Sequence, residues 1–144
     1  MSANVVTCPN CGTRNRVPAT SSGKPACQQC KAALPWVVSA DDESFAAATE
    51  SSKVAVLIDL WAPWCGPCRQ LSPVLEKLAV EYAGRLKLVK INVDNSPDSA
   101  RRFNAVSIPT MVLIQNGQVS GRQVGALPMP QLKRWLDESL PAAR

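Results

Sequence analysis

The sequence predicts an α/β fold: one mixed sheet flanked by helices on both faces, preceded by a small cysteine-rich piece. Three observations predict it. From Trp36 onward, short apolar runs alternate with amphipathic helical patterns, as β-α-β units with parallel pairing do. Farther on, two strand segments, Met111–Ile114 and Gln118–Val124, are joined by Asn116-Gly117, a hairpin signal that adds an antiparallel edge. Before residue 36 large apolar side chains are few, and Cys8, Cys11, Cys27 and Cys30 stand in two Cys-x2-Cys pairs around a Ser/Thr/Gly/Pro-rich stretch. That stretch cannot build a core unaided, so the chain divides into residues 1–35 and 36–144.

The larger part divides into elements along the chain. Trp36–Val38 reads as a short strand. Asp41 or Asp42 is placed to N-cap a short helix carrying Phe45 and Ala48. Val54–Leu60 is nearly all apolar, as a strand buried on both faces is. A helix starts near Cys65 and puts Leu71, Leu75, Leu78 and Tyr82 on one side, with a kink expected at Pro73. Leu86–Val93 is a second buried strand, and Ser96–Phe103 a short helix. Met111–Ile114 and Gln118–Val124 form the hairpin strands. Pro130 suits the first turn of a last helix, which carries Leu132, Trp135, Leu136 and Leu140 on one face.

Composition narrows the function. A chain of 144 residues with 46% hydrophobic content suits one packed domain and a small appendage. No apolar run reaches the roughly 20 residues of a membrane span, and the N-terminus lacks the pattern of a secretory signal. The net charge of +5 is an N-terminal property: the first forty residues hold Arg14, Arg16, Lys24 and Lys31 and no acid. The chain has no histidine, which removes imidazole from acid–base work, from metal ligation and from thiol activation.

The six cysteines form three Cys-x2-Cys pairs. Cys8–Cys11 and Cys27–Cys30 are fifteen residues apart, the spacing of a four-thiolate zinc site of the zinc-ribbon kind. Each pair makes a tight loop aiming two sulfurs at one ion, and Gly12 comes after the first pair, where such a turn favours positive φ. A segment with so little core needs a metal to fold. Zinc with four thiolates has a formal charge of about −2, which the N-terminal cations offset. The segment lacks the interleaved aromatics that stack on bases, so nucleic acid is not expected as a partner.

The third pair lies in Trp61-Ala62-Pro63-Trp64-Cys65-Gly66-Pro67-Cys68, where a strand pattern meets a helical one. A sulfur at a helix N-terminus meets free backbone N–H groups and the positive end of the dipole, which favour a thiolate. Cys68, one turn on, is placed to resolve a mixed disulfide. The rival reading, half of a zinc site, lacks partners, because the other four cysteines form a complete set. Asp59 is the lone acid in an apolar strand. It reads equally as a proton exchanger for Cys68 or as a strand-end acid bonded to backbone. Pro109, read alone, is an ordinary loop proline with a trans bond.

With WCGPC, Asp59, Lys90, Ile108-Pro109-Thr110, Asn116-Gly117 and Val124-Gly125 in this order and spacing, residues from about Trp36 to Pro141 resemble the thioredoxin family. The cysteine-rich extension resembles that of its bacterial thioredoxin 2 branch. The resemblance implies Cys65 as nucleophile and Cys68 as resolving thiol. It implies Asp59 as buried proton acceptor with Lys90 near it, and a cis bond before Pro109 facing the cysteines. It further implies an apolar groove of Trp64, Gly66, Pro67, Ile108, Pro109, Val124 and Gly125 for a client's extended chain, with Trp61 beneath the loop. The Gly66-Pro67 insert, in place of one containing histidine, points to a reductase of protein disulfides. Implied too are recharging by a flavin-dependent, NADPH-using thioredoxin reductase, oxidised proteins as clients, a cytoplasmic monomer, and no bound organic cofactor. Zinc held by Cys8, Cys11, Cys27 and Cys30 is either structural or redox-sensitive.

Overall fold

The computed structural model describes residues 4–17, 25–50 and 52–140. Lys24, expected to help offset the thiolates, and Pro141 lie outside them.

The N-terminal piece is a two-stranded antiparallel ribbon, β1 (Asn4–Thr7) and β2 (Arg14–Val17). The larger part runs β3 (Trp36–Ala40), α1 (Phe45–Thr49), β4 (Ala55–Trp61), α2 (Gly66–Glu81), β5 (Leu86–Asn92), α3 (Pro97–Arg102), β6 (Thr110–Gln115), β7 (Gln118–Val124) and α4 (Met129–Ser139). This is the expected element order. The sheet order is β3-β5-β4-β6-β7. β3/β5 and β4/β5 are parallel, while β4/β6 and β6/β7 are antiparallel. Asn116 and Gly117 both take positive φ, at 54° and 75°, as a two-residue hairpin turn requires.

Side-chain alternation sorts the central strands onto two cores. Val56, Ile58 and Leu60 of β4 pack with Val89, Ile91, Val112, Phe45 and Phe103. Leu57 faces the other way, with Leu86, Leu88, Met111 and Leu113, under Leu71, Leu75 and Leu78 of α2 and Leu132 and Leu136 of α4. Asp59 shares the parity of Leu57 and therefore points toward α2. The N-terminal piece is docked: Cys8, Val17, Cys27 and Leu34 join the first core beside Trp36 and Val38. α2 continues uninterrupted through Pro73.

The capping expectation needs correction. Ser44 is the N-cap of α1 and makes no side-chain cap bond. Asp41 accepts from the Ser44 N–H at 2.9 Å. Asp42 reaches across to α3, accepting from the N–H groups of Asp98 and Ser99 at 3.0 and 2.8 Å. A carboxylate at a helix start is favourable whichever helix supplies the N–H groups, and only the tertiary arrangement brings α3 within its reach. Among the described residues no helix is long and apolar enough to cross a membrane.

Candidate functional site

The site lies where β4 ends and α2 begins. Cys65 is the N-cap of α2, in extended conformation, and its Sγ accepts from the Cys68 N–H at 3.2 Å. Pro67 falls in the first turn, where its missing N–H costs nothing. Cys65 and Cys68 are joined in a disulfide with Cα atoms 5.3 Å apart. Their neighbourhood is apolar, formed by Ala62, Trp61, Val93 and Ile108.

The Ile108–Pro109 bond is cis. The trans reading of the isolated proline is thus corrected, and the resemblance is right. The Ile108 carbonyl oxygen lies 3.8 Å from Cys65 Sγ. Gly125 donates its N–H to the Pro109 carbonyl at 2.8 Å, and Val124 is the register partner of Thr110. These contacts bring Ile108, Pro109, Val124 and Gly125 together beside the disulfide. A Cβ added at Gly66 or Gly125 would meet nothing within 4 Å, so backbone there is open to an approaching chain. Trp64 is 67% exposed, and its indole N–H donates to the Asp94 carboxylate at 3.0 and 3.2 Å.

Behind the disulfide is a cavity of about 110 Å³ lined by Asp59, Trp61, Cys68, Arg69, Ser72 and Lys90. Asp59 is buried, and its Oδ1 has no hydrogen-bond partner. Burial pushes its carboxyl up to about 6, with the nearby Lys90 charge opposing the rise. The alternative of a strand-end acid bonded to backbone does not describe this oxygen. Asp59 and Lys90 are register partners in β4 and β5. Yet Lys90 donates to Ser72 Oγ at 2.5 Å and pairs with Glu76 at 3.5 Å.

The sequence reading missed Ser72, Arg69, Glu76 and Asp94. Ser72 had a signal: it stands four residues after Cys68, on the same side of the helix. Asp94 had none, since it meets Trp64 only through the return of β5.

The second cysteine group is a candidate metal centre. The four Sγ atoms all lie within 4.8 Å of one another. Cys8–Cys30 and Cys11–Cys27 sulfurs are 3.7 and 3.6 Å apart. Zinc–sulfur bonds of about 2.3 Å in a tetrahedron put sulfurs about 3.8 Å apart, so the group fits zinc. Two similar loops build it. Gly12 and Lys31 donate to the Cys8 and Cys27 carbonyls, both at 2.9 Å, and take φ of 79° and 68°. Neutral donors reach the sulfurs: Asn10 to Cys30, and Asn15 and the Gln29 N–H to Cys27. The Cys30 N–H foremost, with the Gln29 N–H and Asn15, brings the Cys27 thiol down to about 6 against the opposing effect of burial. Lys31, expected to offset the thiolate charge, turns its ammonium to the Gln28 carbonyl at 3.0 Å.

An N-capping disulfide on a mixed sheet, facing a cis-proline loop and backed by a buried acid, defines a dithiol–disulfide exchange protein. Residues 36–138 match the thioredoxin family model. The chain is 45% identical over 104 residues to thioredoxin of Haemophilus influenzae, covering 72% of this chain and 97% of that one. It is 44% identical over 101 residues to thioredoxin 2 of Chlorobaculum tepidum, covering 70% and 93%. To chloroplastic thioredoxin M4 of Arabidopsis thaliana it is 35% identical over 131 residues, covering 90% and 68%. The chain belongs to the thioredoxin family, and it is a thiol–disulfide oxidoreductase that reduces protein disulfides.

Proposed function

We propose that this chain is a zinc-carrying thioredoxin of the thioredoxin 2 type, with a metal-binding piece over residues 1–35 and a redox domain over 36–144. The observation that carries the reading is the placing of the two sulfurs: Cys65 meets the Ile108 loop, whereas Cys68 lines the cavity holding Asp59. Cys65, as thiolate, attacks a client disulfide and forms a mixed disulfide. The client chain lies along Trp64, Gly66, Pro67, Ile108, Pro109, Val124 and Gly125. The Cys68 thiol passes its proton to Asp59, directly or through a water admitted to the cavity of about 110 Å³ between them. The Cys68 thiolate attacks Cys65 Sγ, and the Cys65–client bond breaks with its electron pair leaving on the client sulfur. Asp59 returns the proton to solvent, from which the leaving thiolate is protonated. The dithiol is oxidised and the client disulfide reduced, two electrons each way.

Cys8, Cys11, Cys27 and Cys30 would hold one zinc ion, which supplies a cross-link without redox chemistry of its own. Family membership implies redox partners such as a thioredoxin reductase, here taken to use NADPH, and oxidised client proteins. The chain acts as a cytoplasmic monomer.

A redox titration of the Cys65–Cys68 pair, with zinc quantified at each step, tests both parts. A potential in the reducing range of thioredoxins, with one zinc retained throughout, is expected. A potential near that of disulfide isomerases would overturn the reductant assignment. Zinc release during the titration would make the metal redox-sensitive rather than structural.

A further inference from the structure

We propose that Ser72 is a positioning residue for proton transfer at Asp59: with Glu76 it holds the Lys90 ammonium against α2 and off the Asp59 carboxylate. The inference rests on the reading of Asp59 as the proton acceptor for Cys68.

Register partners on adjacent parallel strands present their side chains to the same face, so Asp59 and Lys90 both point at α2. An ammonium beside a buried carboxylate ordinarily closes onto it and favours the charged form. Here the ammonium is engaged elsewhere, by Ser72 Oγ at 2.5 Å and Glu76 at 3.5 Å. The Asp59 Oδ1 atom is left buried without a hydrogen bond. Cys68, Ser72 and Glu76 recur every four residues, so one stripe of α2 carries both the thiol that gives up the proton and the tether.

The groups facing Asp59 are few. α2 brings Cys68, Arg69 and Ser72 to the cavity, β5 brings Lys90, and β4 adds Trp61. Glu76 is half exposed at the far end of the Lys90 contact. From β6 the register partner is the apolar Met111. Lys90 is the one cation already in register with Asp59, so the choice of its partner sets how firmly Asp59 holds a proton. With the ammonium tied to Ser72, burial dominates, and Asp59 exchanges protons near neutral pH instead of remaining a permanent carboxylate.

The test is an NMR titration of the Asp59 carboxyl carbon in the oxidised protein, where Cys65 and Cys68 do not titrate. Ser72→Ala, which replaces serine by a better helix former, is expected to free Lys90 and lower the Asp59 midpoint by about one pH unit. Ser72→Thr keeps the hydroxyl and should keep the wild-type midpoint. Glu76→Gln should give a smaller decrease. In a Lys90→Met background Ser72→Ala should have no effect, because the effect runs through the ammonium. An unmoved midpoint in Ser72→Ala, or the same shift with Lys90→Met, overturns the tether. Asp59→Asn in the reduced protein separates the two levels. Loss of the pH inflection of client reduction, with an unmoved Ser72→Ala midpoint, sinks the tether alone. An inflection that survives Asp59→Asn removes Asp59 as the acceptor and the positioning role with it.

Discussion

The Cys65–Cys68 pair and the two N-terminal pairs share one spacing and differ in the backbone just past the second cysteine. After Cys68 the chain continues as helix for thirteen more residues, to Glu81. After Cys11 and Cys30 it turns at once, through Gly12 and Lys31 with positive φ. The helix faces both sulfurs of its pair toward one another and ties the first to a backbone N–H. The turns instead wrap N–H donors around sulfurs and point two loops at a common centre. Spacing alone therefore does not decide between electron exchange and metal binding; the backbone conformation beyond the pair does.

The largest expected effects test whether the two regions are chemically separate. Cys65→Ser should abolish insulin-disulfide reduction, a loss of at least about a thousandfold given that the thiolate is the attacking species. Cys68→Ser should trap mixed disulfides with clients. Both variants should retain one zinc per chain by metal analysis. Cys27→Ser should do the reverse, losing zinc while the isolated Cys65–Cys68 couple keeps its potential. Zinc loss in Cys65→Ser would break the comparison.

Asp59→Asn probes a feature that only the redox region has, a buried carboxylate. The folded-state value near 6 lies above the unfolded one of 3.8, so the native state binds more protons between these two values. Stability from this group is greatest below about pH 4, falls as pH rises through that window, and is constant above it. Asp59→Asn should therefore stabilise the oxidised protein at pH 7 by about 3 kcal/mol. Urea unfolding at pH 7 and pH 4 checks it, and the advantage must shrink at the lower pH. An equal advantage at both would mean that the charge of Asp59 is not the cause.

How legible each region is in the sequence depends on the physical origin of its signal. Continuous apolar runs and helical periodicity report burial, so they mark Val54–Leu60 as buried on both faces and put Leu71, Leu75 and Leu78 on one helix face, as the structure does with Ile58 in one core and Leu57 in the other. The cysteine spacings report loops, and both readings of them agree with the geometry. The cis bond at Pro109 is invisible locally, because the local sequence favours trans; it enters only through family resemblance. Sequence assigns Asp42 to the nearer helix because it shows neighbours along the chain, whereas α3 reaches this residue in space. Lys90 likewise is expected near Asp59, but its engagement with Ser72 needs coordinates. Lys31 counts in the sequence as a charge, whereas its backbone is the more informative part.

That backbone gives the smallest predicted effect and the finest test of the comparison. The two loops use the same hydrogen bond at the same position, yet one has glycine there and the other lysine. A non-glycine residue in the left-handed region costs about 1 kcal/mol from the approach of Cβ to its own carbonyl. At Gly12 an added Cβ meets nothing within 4 Å, so Gly12→Ala should show this backbone cost almost alone, about 1 kcal/mol. Lys31→Gly should recover about 0.5 kcal/mol, since the relief is partly offset by the freer unfolded chain and by the lost bond to Gln28. Denaturant unfolding of the zinc-loaded oxidised protein measures both. Opposite signs at the two positions would establish that conformation after the second cysteine builds the metal loops. A stabilising Gly12→Ala would show that the turn is not the determinant and that the sulfurs themselves dictate the loop.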